Sequence, residues 1–205
     1  MNAADDALEN ARFFEQRFEG VNFQNKILKG CIFEKCSLRN LDFREVITEK
    51  CLFIECDLSG ARFNASSHQG SAFTNCKFTG ANFFTADFNM CKMTGSNFEA
   101  VNMDGIRITG GDWSYTRLRM VNLRRLDLRK IQLVETDLYG CDLEKADLRE
   151  ANLTRAILSK TKLTGADLRG ATIDGVDFRD LDLKGVCLDM MQAVYVVQSL
   201  GAKVM

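Results

Sequence analysis

Eight cysteines, a single histidine and a run of regularly spaced Asp and Arg side chains are the residues of this 205-residue chain best equipped for chemistry. Thiolates ligate zinc, form disulfides or attack electrophiles, and imidazole is the usual general base. Their spacing argues against those uses. Cys31 with Cys36, and Cys51 with Cys56, follow a CxxxxC pattern and not the CxxC of zinc sites. His68 has no rival, so a histidine-based triad would have to be built on it, and no serine or cysteine nucleophile with an orienting acid is suggested nearby. No catalytic residue, cofactor or metal is therefore expected. The start, MNAADDALENARFF, lacks the charged-then-apolar pattern of an export signal, and no segment approaches a membrane span in length. The expected setting is the cytoplasm, where thiols stay reduced.

The cysteines find their place in a five-residue period. Over residues 141–170 leucine recurs at Leu143, Leu148, Leu153, Leu158, Leu163 and Leu168, with a small residue two places before each. Carried back without a slip, the register gives 36 centres from residue 13 to residue 188, phenylalanine-rich early and leucine-rich late, and all but Thr48 and His68 are apolar. Seven of the eight cysteines fall two before a centre, and 13 of the 15 glycines fall two after one. A chain that turns a corner every five residues repeatedly needs residues tolerant of positive φ. A period of five fits neither helix nor strand and requires a repeat architecture. The absence of proline suits a fold in which most backbone N–H groups are committed to ladders.

This pattern resembles the pentapeptide-repeat family: a small residue, Asp or Asn, Leu or Phe, a variable polar residue, then often Gly. The resemblance covers roughly residues 11–190. It implies an all-β fold, a right-handed quadrilateral β-helix in which four pentapeptides make a 20-residue coil. About nine coils, roughly 40 to 45 Å of rod, are expected at the strand spacing of a sheet. The expected organisation is an N-terminal cap over 1–10, the β-helix over 11–189, and a C-terminal helix and tail over 190–205.

Several positions depart from the frame. Thr48 and His68 stack 20 residues apart as a polar defect, read as a bulge or loosened turn or, alternatively, a binding notch. Gly111 stands in the small-residue column before Trp113 and is expected to make room for the indole. Residues 107–130 carry seven basic side chains (Arg107, Arg117, Arg119, Arg124, Arg125, Arg129, Lys130), a basic belt in a chain of net charge −1. Asp127, Asp147 and Asp167 should form one vertical ladder, with Arg129, Arg149 and Arg169 beside it.

After Leu188 the register stops. Asp189 can N-cap a helix through MMQAVYVVQSL that ends at Gly201. Its apolar side chains exceed what covering the last coil requires, so a homodimer joined end to end is expected, with Met190, Met191, Val194, Val197, Leu200 and Val204 in the interface. This C-terminus is similar to that of Qnr-type quinolone-resistance proteins at Gly185, Val186, Leu188, Asp189, Gln192, Ala193, Leu200 and Gly201. The similarity implies a non-enzymatic binding protein that acts as a DNA mimic, binds DNA gyrase and topoisomerase IV, and protects them from quinolones or other poisons. It implies no direct nucleic-acid binding and no membrane. Candidate partner-binding acids are Asp137, Asp142, Asp177 and Asp182. The unbroken frame leaves no inserted loops of the kind many such proteins carry. The alternative is a repeat scaffold for an unrelated protein partner.

Overall fold

The computed structural model describes residues 7–205, and they form a four-sided parallel β-solenoid closed by one C-terminal helix. Ten three-residue strands occur: β1 (Ala7–Glu9), β2 (Arg12–Phe14), β3 (Ile27–Lys29), β4 (Ile32–Glu34), β5 (Ile47–Glu49), β6 (Leu52–Ile54), β7 (Ser67–Gln69), β8 (Ala72–Thr74), β9 (Asp87–Asn89) and β10 (Arg107–Thr109). They line two faces, in the orders β1-β3-β5-β7-β9-β10 and β2-β4-β6-β8. Partners are 20 residues apart throughout, as in Phe33↔Phe53 and Asp87↔Arg107. The other faces pair through single bridges with the same offset, from Arg17↔Ser37 to Asp167↔Cys187.

Two expectations need restating. The first coil begins at Ala7 and not at residue 11, because β1 already pairs with β3 and Leu8 packs against the core; residues 1–6 of the expected cap lie outside the described residues. Continuous strand pairing extends through five 20-residue steps, Ala7 to Arg107, and not nine, because beyond Thr109 the stacking is carried by single bridges between tight turns. The ladder also opens over two adjacent faces between residues 99–110 and 118–131, where no backbone hydrogen bond crosses, and again over part of the last coil.

The turns explain the glycine column and its gaps. Every fifth residue from Asn10 to Gly185 has positive φ except Asp180, and 22 of these positions are not glycine. A left-handed L-residue costs about 1–2 kcal/mol. Each such turn is held by the core residues on either side and, outside the opened stretches, by ladder bonds to the neighbouring coils.

The core is built from the centres. Phe23, Phe43, Phe63 and Phe83 stack with centroids 4.7, 4.8 and 5.1 Å apart, and Phe33, Phe53 and Phe73 with 4.8 and 4.6 Å. These separations match the spacing of paired strands, so identical side chains one coil apart meet face to face. Trp113 stacks on Phe98 and ends the aromatic run, after which leucines fill the same columns.

Candidate functional site

Seven of the eight cysteines are buried, and Cys187 is exposed. Sγ of Cys31, Cys51, Cys56, Cys76 and Cys91 lies 3.2–3.3 Å from the carbonyl oxygen of the centre 23 residues earlier: Leu8, Leu28, Phe33, Phe53 and His68. These centres lie in strands. On the turn faces a centre's carbonyl instead accepts a backbone N–H three residues on, as Phe23 does from Lys26. In the strands the carbonyl takes the backbone N–H of the paired strand, and a thiol 23 residues on, in the next coil, adds a second donor; Ser96 does the same for Phe73 at 2.7 Å. A carbonyl oxygen has two lone pairs, so the buried thiol finds an acceptor without displacing the ladder, and Cys here is more than a small filler. Burial pushes the Cys51 thiol up to about 11 and those of Cys91 and Cys141 up to about 12, far from nucleophilic.

Thr48 and His68 are neither bulge nor notch. They are the central residues of β5 and β7, paired in register and fully buried. Polar side chains fit at these core positions because they satisfy one another, with two serines that sequence reasoning missed. Thr48 Oγ1 lies 2.7 Å from His68 Nδ1 and 3.0 Å from Ser71 Oγ; His68 Nε2 lies 2.9 Å from Ser66 Oγ. The proton order follows from counting hydrogens. Ser66 donates its only hydrogen to the Phe63 carbonyl at 2.7 Å, so it accepts from His68 Nε2–H. Nδ1 then accepts from Thr48, which in turn accepts from Ser71, and Ser71 accepts the Cys51 backbone N–H at 3.1 Å. The signal lay in the frame: Ser66 is in the small-residue column two before His68, and Ser71 follows at the next such position. Burial holds His68 far below its ordinary value, at about 3, so the imidazole is neutral. Although serine, histidine and threonine are brought together, no substrate reaches them.

Gly111 has a different reason from the one expected. Its φ is +89°, and a Cβ there would collide with the backbone carbonyl of Cys91 in the coil below, not with the indole. Trp113 Nε1 is the buried side-chain nitrogen among the described residues that has no hydrogen-bond partner.

The surface columns are largely neutralised. Arg129, Arg149 and Arg169 each grip the Asp two residues before them, with Nη2–Oδ2 distances of 2.6 Å, and Arg129 and Arg149 also approach Asp147 and Asp167 of the next coil at 3.7 and 3.8 Å. Three of the four candidate binding acids are engaged as well: Asp137 with Arg119 at 3.7 Å, Asp142 with Arg124 at 3.4 Å and Asp177 with Arg179 at 2.6 Å. The Arg179 hydrogen bonds hold the Asp177 carboxyl down at about 2. Asp182 accepts the Lys184 N–H at 3.0 Å. The structure does not gather these acids into one strip, since Asp137 pairs upward with Ile157 and Asp142 with Lys162.

The end of the rod is closed by α1 (Met190–Ser199). Asp189 caps it reciprocally with Gln192, and its Oδ2 also accepts the Gly170 N–H at 2.9 Å. Gln192 Nε2 donates to the carbonyls of Leu168 and Ala171 at 2.6 and 2.7 Å, and Tyr195 Oη accepts the Gly175 N–H at 2.7 Å. The helix thus supplies side-chain partners where a further coil would supply backbone. Val196 packs inward. Met190, Met191 and Val197 are 80%, 77% and 43% exposed, Leu200 and Val204 are exposed too, and Val194 is half-buried. No helix among the described residues is long and apolar enough to cross a membrane.

A family model described as a pentapeptide repeat region matches residues 26–88 and 81–149, and the model for pentapeptide repeats matches residues 131–170 and 151–189. No curated protein matches the sequence. Among solved structures, a trypsin-treated form of QnrB1, described as a plasmid-mediated fluoroquinolone resistance protein, superposes with a TM-score of 0.85 at 19% identity over 97% of this chain and 100% of that one. A second trypsin-treated QnrB1 structure gives 0.53 at 25% identity over 100% and 94%. HetL, a repeat protein involved in heterocyst differentiation regulation in the cyanobacterium Nostoc, gives 0.61 at 22% identity over 88% of both chains.

Proposed function

The chain belongs to the pentapeptide-repeat family, and from that premise we propose that it is a non-catalytic, cytoplasmic protein-binding rod. We infer that it dimerises through α1 and acts on type II topoisomerases in the manner of Qnr-type proteins. The observation that carries this reading is the end-to-end likeness of fold to QnrB1. The apolar side chains that α1 leaves exposed supply the seam of the dimer. Duplex DNA presents about one negative charge per 1.7 Å of axis. Because Asp137, Asp142 and Asp177 are ion-paired, recognition rests on the shape of the rod and local contacts more than on a continuous negative stripe.

A second reading, a scaffold for a protein unrelated to topoisomerases, is favoured by that same mixed surface and by the likeness of fold to HetL. A DNA gyrase supercoiling assay with a fluoroquinolone, with and without micromolar protein, separates the two. Rescue or direct inhibition supports the topoisomerase reading. Neither effect, together with no gyrase in a pull-down, leaves the scaffold.

A further inference from the structure

The mid-rod opening of the ladder is a groove with its own chemistry. In the regular coils a centre's N–H donates to the carbonyl 19 residues on, as Phe98 does to Arg117 at 2.9 Å and Trp113 to Gln132 at 2.8 Å. These two bonds flank the opening on either side. Between them, Met103 and Ile108 lack such partners, the carbonyls of Asn122 and Asp127 lack the reciprocal donors, and the Asp127 N–H does not meet the Ile106 carbonyl. The bridge series Asn82↔Asn102 and Asp87↔Arg107 resumes only at Asn122↔Asp142 and Asp127↔Asp147. Strand β10 therefore has one paired edge and one open edge.

The opening forms a groove of about 640 Å³, with Arg107, Arg125, Arg129, Lys130 and Arg149 against Asp127 and Glu150 in its walls. Arg107, Arg129, Lys130 and Arg149 have carboxylate partners on the rod. Arg125 has no ion-pair partner among the described residues.

We propose that this groove binds an extended acidic segment of a partner protein, added as a strand along the open edge of β10, with a carboxylate of the segment on Arg125. Both halves of the groove's chemistry favour a peptide. Its walls offer unpaired N–H and C=O groups in alternation, which a peptide strand satisfies together. A nucleic-acid backbone satisfies only the donors and sets its phosphates against the free carbonyls, Asp127 and Glu150. The excess of basic groups selects the sign of the segment's charge. The inference stands whether or not a topoisomerase is the partner, since it rests on the middle of the rod and not on its acidic columns or dimer end.

The test uses the full chain and a fluorescein-labelled, end-blocked heptapeptide of alternating glutamate and valine. A lysine-for-glutamate version and a single-stranded oligonucleotide of similar charge serve as comparisons. Fluorescence anisotropy is expected to show saturable binding of the acidic peptide that weakens at least tenfold between 50 mM and 500 mM salt. Arg125→Glu should weaken it at least tenfold, and Arg125→Ala less. Hydrogen exchange followed by NMR should show the Met103 and Ile108 amides exchanging faster than those of Phe98 and Trp113 in the free protein, and the Ile108 amide, which lines the groove, slowing when peptide is bound. The proposal is overturned by no binding at millimolar peptide, by equal binding of the lysine version, by preference for the oligonucleotide, or by binding that leaves the Ile108 amide unprotected.

Discussion

Thr48 Oγ1 donates to His68 Nδ1 across 2.7 Å, from one coil of the rod to the next, and neither side chain touches solvent. Every hydrogen in the chain from the Cys51 N–H to the Phe63 carbonyl is assigned by that contact and its neighbours. Protonating His68 would give Nδ1 a hydrogen and set it against the hydrogen of Thr48. Thr48 would have to turn towards Ser71, whose remaining acceptor, the Gln69 carbonyl, is 3.5 Å away.

Stability should therefore fall in mild acid. His68 has an ordinary value of 6.5 when the chain is unfolded and about 3 when folded. Between those values the unfolded chain binds the extra proton, so the contribution is complete above about 6.5 and is lost as pH falls, by up to ~1.4 kcal/mol per pH unit. Denaturant unfolding at pH 7.5 and 5.0 should show about 2 kcal/mol more loss for the natural sequence than for Thr48→Val/His68→Phe, which retains the same carboxylates. Equal losses would place the acid sensitivity elsewhere.

Thiol reactivity should divide seven to one. Cys187 is exposed and the other seven cysteines are buried, each with a carbonyl to donate to. A chromogenic disulfide reagent should titrate one thiol in the native protein and eight in denaturant. Rapid reaction of more than one native thiol would mean that the coils open on the time scale of the assay.

How the sequence relates to the structure can be argued from particular positions. Leu143 and Phe53 are legible as core because the inward columns are the apolar ones at every turn, and Asp189 with Gln192 is legible as a cap because the frame stops just before them. The opening beside Ile108 is not legible. The five-residue period runs through Met103, Ile108, Leu123 and Leu128 unbroken, and what fails there is hydrogen bonding between coils, which depends on the spacing of backbones and not on residue type. Gly111 stands out in the small-residue column, but its reason is not legible, because the atom a Cβ would meet is the Cys91 carbonyl of the coil below, 20 residues away in sequence. Thr48 and His68 look like defects in a one-dimensional pattern. They become acceptable core residues only when Ser66 and Ser71 are brought to them by the fold.

The C-terminal seal should fail at one side chain. Gln192 is buried and donates to the carbonyls of Leu168 and Ala171. Gln192→Ala leaves both carbonyls unpaired and half of the capping box missing, so a loss of about 2–4 kcal/mol is expected. Gln198→Ala, on the exposed side of α1, should change stability by less than ~0.5 kcal/mol. Chemical denaturation measures both, and equal effects would deny that the seal is specific.

The proposed dimer seam can be tested without disturbing the fold. Met191→Glu with Val197→Glu places two charges on side chains that are 77% and 43% exposed. The unfolding midpoint of the variant at a fixed pH should stay close to that of a monomer, while sedimentation should shift from dimer to monomer. A natural chain that sediments as a monomer at high concentration would rule the seam out.

The last test concerns the turns, where a glycine sits above an asparagine one coil below. Asn40 lies beneath Gly60 and Asn75 beneath Gly95, and in each pair a Cβ on the glycine would collide with the asparagine Oδ1. Gly95→Ala therefore carries two costs. One is the left-handed backbone at φ +73°, about 1 kcal/mol, which no neighbour relieves. The other is the collision with the Asn75 side chain, which its removal relieves. A double-mutant cycle separates them: the Asn75 amide ends a rotatable side chain that can turn aside at about 0.5–1.5 kcal/mol, so Gly95→Ala should cost about 1.5–2.5 kcal/mol in the natural background and about 1 kcal/mol beside Asn75→Gly. The coupling of about 0.5–1.5 kcal/mol belongs to stacking between coils. A coupling near zero would mean that each turn is an isolated unit and that the glycine column answers to backbone conformation alone.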